Sequence, residues 1–563
     1  MKNYLRILTL LLCVVLFTFA FASCDKNGKR GDATTAHSTQ PSTESQTTAK
    51  NWEPVVREIS GYAAQNRSLK FELDNFTGPE RIAQNKKYIE GPDAIDNVTA
   101  SIDKMVYKRN HAAMDLFGVS VEYVYWDDAW DKQSTNIISV VQGNAADAPD
   151  LFVNMVFDLN IALKTQGVFK DVLTIPGNFF DFNTKGWMKD WMMSYSFTGD
   201  RAYVLGGDYF IDILRAMGVL PFNVDLMDAN ADKLASAILG EGETLGAGEE
   251  LSTAFFDLVD KGEWTWDVLG KLCAAIWVDE NGDGADSITD TLGFVTDSYT
   301  GMPSALILFS TGETLTTTQY DETRGRNWIT INQDSIALGK IFDAVKGVVD
   351  GSGSFVTNDA TSKGSTIDQP GIAYHQIKFS ENTLLFCGPQ LLGALEGDAF
   401  QQMAALYSVV PLPKVDESKE YNTVIHNTAD CGAINVKINP QKARTISAFL
   451  QYCVENSGDI RNEFLQIVMK YKNTVYNQGT DRMLNLIYSR MINARDKGIE
   501  DAAERTSGER YHGVMKDNGF TWGSSDIVSW FESVKKSKQD KIDEVLNQWY
   551  TLPGGTGSTG TAE

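Results

Sequence analysis

Short runs in which apolar and polar residues alternate recur along this chain with amphipathic helical stretches between them, and this alternation restricts its fold most. Val119-Ser-Val-Glu-Tyr-Val-Tyr125 has the period of two expected of a half-buried strand, and Leu151-Phe-Val-Asn154 and Tyr407-Ser-Val-Val-Pro411 read as further strands. Helical patterns occupy 137–142 and 440–456, the second opened by Asn439-Pro440, a capping side chain followed by proline at the first helical position. Strands alternating with helices predict an α/β protein. The length of 563 residues, 43% of them hydrophobic, leaves ample core for two or more lobes. No repeat of fixed period is present.

The first 50 residues read differently. Lys2 and Arg6 precede an apolar stretch, 7–22, too short for a membrane-spanning helix, which needs about 20 residues. A positive start, a short apolar centre and the small residues Ala22-Ser23 make a secretory signal peptide, 1–23, leaving Cys24 as the first mature residue. The small-small-Cys ending resembles the bacterial lipobox, with Phe21 where such motifs most often carry Leu, and implies lipidation of Cys24. A plain secretory signal with an incidental cysteine and an uncleaved anchor are the alternatives. Residues 31–50 are rich in Ser and Thr and nearly devoid of large apolar side chains, so 24–50 is expected to be a disordered tether, and 553–563 a disordered tail. The expected location is the extracellular face of the cell membrane, with contact through the lipid anchor alone.

A formal net charge of −24 argues against nucleic acid or an anionic membrane surface as partner and is easier to reconcile with a neutral or cationic ligand. Cys273, Cys387, Cys431 and Cys453 lie far apart in apolar contexts without C-x-x-C spacing. Buried free thiols are expected, with a disulfide left open.

Several segments, taken in order, resemble the extracellular solute-binding proteins of ABC importers, the family that includes maltose-binding protein. They are Ala148-Pro-Asp-Leu-Phe152, Gly199-Asp-Arg-Ala-Tyr-Val-Leu205, Leu220-Pro-Phe-Asn-Val-Asp-Leu226, Trp264-Thr-Trp-Asp-Val-Leu269, Phe379-Ser-Glu-Asn-Thr-Leu-Leu-Phe386 and Val409-Val-Pro-Leu-Pro-Lys414. Asp481-Arg-Met-Leu-Asn-Leu-Ile487 and Gly519-Phe-Thr-Trp-Gly-Ser-Ser525 extend the series. The resemblance implies a two-lobe, type II periplasmic-binding-protein-like fold whose interlobe cleft closes on a solute. Lobe 1 would comprise 51–204 and 432–510, and lobe 2 would comprise 205–431 and 511–552. The crossings between them are expected near 203–205 and 424–438. It further implies a monomer that passes an extracellular solute, an oligosaccharide above all, to ABC permease subunits.

Sugars present a C–H face and a hydroxyl rim, so a sugar site pairs aromatic platforms with acids and amides. Trp126 and Asp127 end the strand 119–125, where α/β clefts are lined. The alternative is that Trp126 packs beneath its lobe and Asp127 caps the next helix. Asn154, Phe157 and Asp158 follow the Pro149-Asp150 strand at positions where the family places ligand contacts, and Asp208 and Tyr209 follow the first crossing. Asp297 and Tyr299 lie just past Leu292-Gly-Phe-Val295. Gln390 is a further candidate, although sugar binders often carry an aromatic there, and this departure admits a peptide-like solute on the same fold. Trp264, Trp266, Trp187, Trp191 and Trp530 are expected to pack in the interior.

Asp279, Asn281 and Asp283, with Gly284 behind them, reproduce the first half of an EF-hand loop. Position 12 is Asp290 in place of Glu, so these four residues are candidates for a structural Ca²⁺, and an acidic turn without metal is the alternative. No cofactor is otherwise expected. Only five histidines occur, and H-E-x-x-H, G-x-S-x-G and G-x-x-x-x-G-K-[ST] are all absent. The chain is therefore read as a binding protein and not an enzyme. A surface glycoside hydrolase, which needs only two carboxylates, and a polysaccharide-binding lipoprotein are the competing readings.

Overall fold

A computed structural model describes residues 50–75, 78–94, 101–126, 132–163, 167–332, 335–357, 374–470, 478–503 and 510–551. Glu53–Glu563 forms one compact unit separate from the residues before it, and the description below concerns that unit. The stretches expected to be a signal peptide (1–23) and a tail (553–563), together with Cys24 and all but residue 50 of the expected tether, lie outside the described residues.

Two sheets organise the chain, each faced by helices. In the first, strands β1 (Ser68–Leu73), β2 (Ser120–Tyr125) and β3 (Leu151–Met155) run parallel in the order β2-β1-β3, with Ser68 opposite Ser120 and Phe71 opposite Leu151. β2 stands at the edge with no residue fully buried, as its alternating sequence requires, whereas all five residues of β3 are buried. Pro149-Asp150 starts β3: Asp150 Oδ2 accepts the Lys70 amide at 2.8 Å and pairs with Lys442 Nζ at 2.8 Å, tying the helix Pro440–Glu455 to the sheet.

The second sheet contains β4 (Gly218–Asn223), β5 (Leu292–Asp297), β8 (Ser354–Thr357), β9 (Leu384–Cys387) and β10 (Gln390–Leu391) in the order β10-β4-β9-β5-β8, with β11 (Tyr407–Val410) also pairing with β4. Phe222, Phe255, Trp264 and Phe386 pack against one another with ring centroids 4.9 to 6.2 Å apart, forming its aromatic centre. Trp264 is fully buried and donates Nε1 to the Pro411 carbonyl at 2.9 Å, and Thr265 caps the helix Trp266–Ile276. Trp187 and Trp191 are likewise interior, as expected. A separate hairpin, β6 (Thr316–Asp321) and β7 (Arg326–Ile331), is held by Trp328 Nε1 donating to Asp543 on the long helix Ser524–Trp549.

The first sheet is completed by β12 (Asp430–Ile434), antiparallel to β3, which the chain enters only after visiting the second sheet. Between the sheets the chain makes two passes that bond to each other. Leu205 exchanges hydrogen bonds with Gly432 at 2.7 and 3.0 Å, Met217 bridges Ile425, and the Gly218 amide donates to Val424 at 2.8 Å. Gly432 is required here, because a Cβ would stand 2.5 Å from the Phe210 ring. This is the two-lobe α/β topology expected from the sequence. Cys273, Cys387, Cys431 and Cys453 are buried free thiols. Among the described residues no helix is long and apolar enough to cross a membrane.

Candidate functional site

The carboxyl ends of parallel strands are where an α/β lobe carries its ligand-facing loops. At the first sheet this edge holds Asp74 and Asn75 after β1, Trp126 after β2, and Phe157 after β3. At the second it holds Asp297 to Thr300 after β5 and Gly388 to Gln390 after β9. The passes 205–217 and 425–430 run between these edges.

Trp126 is half-buried, its ring 6.0 Å from Phe152, so it covers the lobe interior and keeps one side open. Asp127 lies outside the described residues. Phe157, also half-buried, opens the helix Val156–Leu163, and its amide donates to the Asn427 carbonyl on the returning pass at 3.0 Å. Tyr299 is 41% exposed at the second edge. Asp297 beside it is buried, its Oδ1 accepting the amide and hydroxyl of Thr300 at 2.9 and 3.0 Å, which starts the helix Gly301–Ser310.

The other candidates point inward. Asn154 is fully buried in β3, its amide facing Glu72 and Gln133, because a one-residue step along a strand turns a side chain from one face to the other. Asp158 is fully buried and accepts the Ser134 amide at the start of the helix Gln133–Gln142. Asp208 pairs with Arg461 at 2.8 Å and accepts the Tyr488 hydroxyl at 3.1 Å, and burial still pushes its carboxyl up to about 6. Tyr209 is fully buried, its hydroxyl 3.2 Å from that of Tyr123 and Arg109 lying over its ring. Gln390 is buried at the end of the second sheet, where Gln376 donates to its Oε1 at 2.7 Å and its Nε2 lies 2.8 Å from His375 Nε2. Burial holds His375 down to about 4.

In the acidic loop, Asp279 accepts the amides of Gly282, Asp283 and Gly284, Asn281 that of Asp283, Asp283 that of Ala285, and Asp290 those of Glu280 and Ser287. The loop closes on its own backbone, and among the described residues no three His, Cys, Asp or Glu side chains converge to hold a metal.

Further residues meet between the edges that no pattern in the sequence distinguishes. The helix Arg495–Ala503 runs beside the returning pass, where Asp501 Oδ2 accepts Lys497 Nζ at 2.8 Å and Asn427 Nδ2 at 3.1 Å, and Arg510 Nη1 stands 3.7 Å from Oδ1. His426 on the same pass bonds Thr428 Oγ1 at 2.9 Å, and burial together with Lys497 and His512 pushes its ring down to about 3. His512 Nδ1 lies 2.6 Å from Glu500 Oε2; although burial alone would raise Glu500, His512, Lys538 and Lys497 take it down to about 2. Asn427 lies more than 70 residues before Asp501 and Arg510 in sequence, so no local motif could have joined it to them. The one signal was scarcity, since His375, His426 and His512 are three of only five histidines.

Half-buried aromatic surface, amide and guanidinium donors and carboxylate acceptors are thus set around a pair of crossing strands. The charges at its centre are mutually paired. Such a junction offers stacking faces and hydrogen bonds to an uncharged polar molecule without a surplus charge to be neutralised.

No family model matches the chain, and no curated protein matches it. Among solved structures it is similar to a family 1 extracellular solute-binding protein from Bifidobacterium longum subsp. infantis, at 14% identity and TM-score 0.41, covering 86% of this chain and 99% of the other. It is also similar to the cyclic α-maltosyl-1,6-maltose-binding protein from Arthrobacter globiformis, at 10% identity and TM-score 0.44 over 85% and 98% of the two chains. A third match is UgpB from Mycobacterium tuberculosis in complex with glycerophosphocholine, at 12% identity and TM-score 0.40 over 79% and 96%. These likenesses are distant, and ligand and activity have to be argued from the junction itself.

Proposed function

We propose that this chain is the solute-binding component of an ABC importer, capturing an extracellular solute between its lobes. The observation that carries this reading is the pair of mutually bonded passes, Leu205 with Gly432 and Met217 with Ile425, joining two α/β lobes whose ligand-facing edges adjoin them. Two passes make a hinge: a small rotation at these residues changes the separation of the edges, and a solute that touches both edges draws the lobes together. An oligosaccharide fits best, because Trp126, Phe157 and Tyr299 supply stacking faces while Asn427 and Arg510 supply hydrogen bonds, with the buried Asp501 carboxylate behind them. The chemistry is binding without turnover. Cys24 would hold the receptor, as a monomer, to the outer face of the membrane, where permease subunits receive its cargo.

The test is native mass spectrometry of the purified mature chain, followed by small-angle scattering with a panel of glycans and peptides. A co-purified glycan, and a smaller radius of gyration when that glycan is added back, are expected. No bound solute and no change of radius with any member of the panel would overturn the reading, and release of shortened glycans would replace it with a hydrolase.

A further inference from the structure

A second contact between the lobes lies beside the passes and involves none of the residues assigned to the solute. Glu396 ends the short segment Leu392–Glu396, which belongs to the second lobe: it follows β10, and the Leu392 amide donates to Met217 at 2.8 Å. Its carboxylate is only about one-fifth exposed and is held by both lobes. Oε1 accepts Lys87 Nζ at 3.3 Å and the Tyr88 hydroxyl, both from the first lobe, while Oε2 accepts Arg215 Nε at 3.1 Å.

The grip continues inward. Arg215 lies over the Tyr88 ring and pairs with Asp212 at 3.0 Å. Asp212 pairs with Arg81 at 3.2 Å and accepts the Asp430 amide at 3.0 Å, and Arg81 reaches Asp74 at 3.0 Å and Asp430 at 2.5 Å. Tyr88 is in turn fixed to the first lobe, edge-on to Phe464 with centroids 5.8 Å apart. A row of alternating charges therefore runs from the end of β1, through the first pass, to a carboxylate on the opposite lobe.

We infer that Glu396 is a clasp that holds the lobes together before any solute is bound. The inference rests on the two-lobe receptor reading and adds to it a bias in the conformational equilibrium built from this chain alone. Lobes held closed by their own contacts close on a solute at less cost in ordering, and a solute needs correspondingly less differential affinity to complete the shift.

The test uses no solute. The mature chain carrying Cys24→Ser is spin-labelled at Lys108→Cys and Lys271→Cys, exposed helical positions on the two lobes, and interlobe distances are measured by pulsed electron resonance; the four native thiols are buried and do not compete. The unmodified clasp should give one short distance, and Glu396→Gln should lower the ratio of closed to open molecules by about tenfold, the scale of one charge-assisted hydrogen bond. Tyr88→Phe, which removes only a hydroxyl, should do the same in smaller measure and serves if Glu396→Gln does not fold. Distances unchanged in both variants, or already long with the clasp intact, overturn the inference. Either result leaves the co-purification test of solute binding untouched.

Discussion

Arg81 shows what single side chains contribute at the junction. Its guanidinium is nearly buried and neutralises Asp74, Asp212 and Asp430 together, and their charge raises its affinity for its proton despite desolvation. Replacing it with Met would remove a counter-charge that three buried carboxylates share, leaving Asp212 still paired with Arg215. Arg81→Met should therefore cost about 3–5 kcal/mol in denaturant unfolding at neutral pH. The deficit should shrink in acid, where the carboxylates protonate. Two other groups set opposing pH dependences. Asp208, raised from 3.8 to about 6, keeps its proton in the native state over a range where the unfolded chain has lost it, so its contribution declines as pH rises from about 4 to about 6. His426, lowered from 6.5 to about 3, stays neutral while the unfolded chain takes a proton, so its contribution is full above pH 6.5 and declines as pH falls toward 3. The stability difference between the parent and Asp208→Asn should accordingly fall with rising pH across its window, and that between the parent and His426→Asn should rise across its own. Urea midpoints measured from pH 3 to 7 check both, and parallel curves would refute the assignments.

At the scale of elements, local chemistry was readable where a single residue decides it. Asn439-Pro440 announced a helix start, and the helix Pro440–Glu455 begins there, with Asn439 Oδ1 accepting the Lys442 amide at 3.0 Å and Nδ2 donating to Asn66 at 2.7 Å. Asn439→Ala removes both bonds and should destabilise the protein by about 1–2 kcal/mol, measured by denaturant unfolding, while Asn439→Asp should recover the capping part. Pro149-Asp150 was placed before a strand by the family resemblance, and β3 begins at Leu151. Which face a side chain takes was not readable. Asn154 and Asp158 have the composition of ligand contacts, but the register of β3 and the turn into Val156–Leu163 direct them into the lobe. Only Phe157 between them remains at the edge. Gln390 differs again: it lies at the expected edge, but His375 and Gln376, 15 and 14 residues earlier, enclose it.

For the whole molecule, the order in which strands enter a sheet determines what can fold alone. The first lobe is expected to comprise two stretches, 51–204 and 432–510, and β3 has its second neighbour only in β12, more than 270 residues later, pairing Leu151 with Ile434 and Met155 with Asp430. Lys442 neutralises Asp150, and the Phe449 ring packs against Phe71 and Tyr209, so the helix Pro440–Glu455 supplies counter-charge and core to strands made long before it. Without these returning elements β3, buried along its whole length, would be an exposed apolar edge. An excised 53–204 fragment is therefore expected to give no cooperative thermal transition by circular dichroism and to aggregate, while the chain from residue 53 to its end unfolds cooperatively. Folding of the excised fragment to a stable monomer would mean that the returning pass is an accessory and not the closing strand of the first lobe. The junction would then lose its defining constraint, since Asn427 and His426 are held in place only because the chain must come back through 425–430 to complete that sheet.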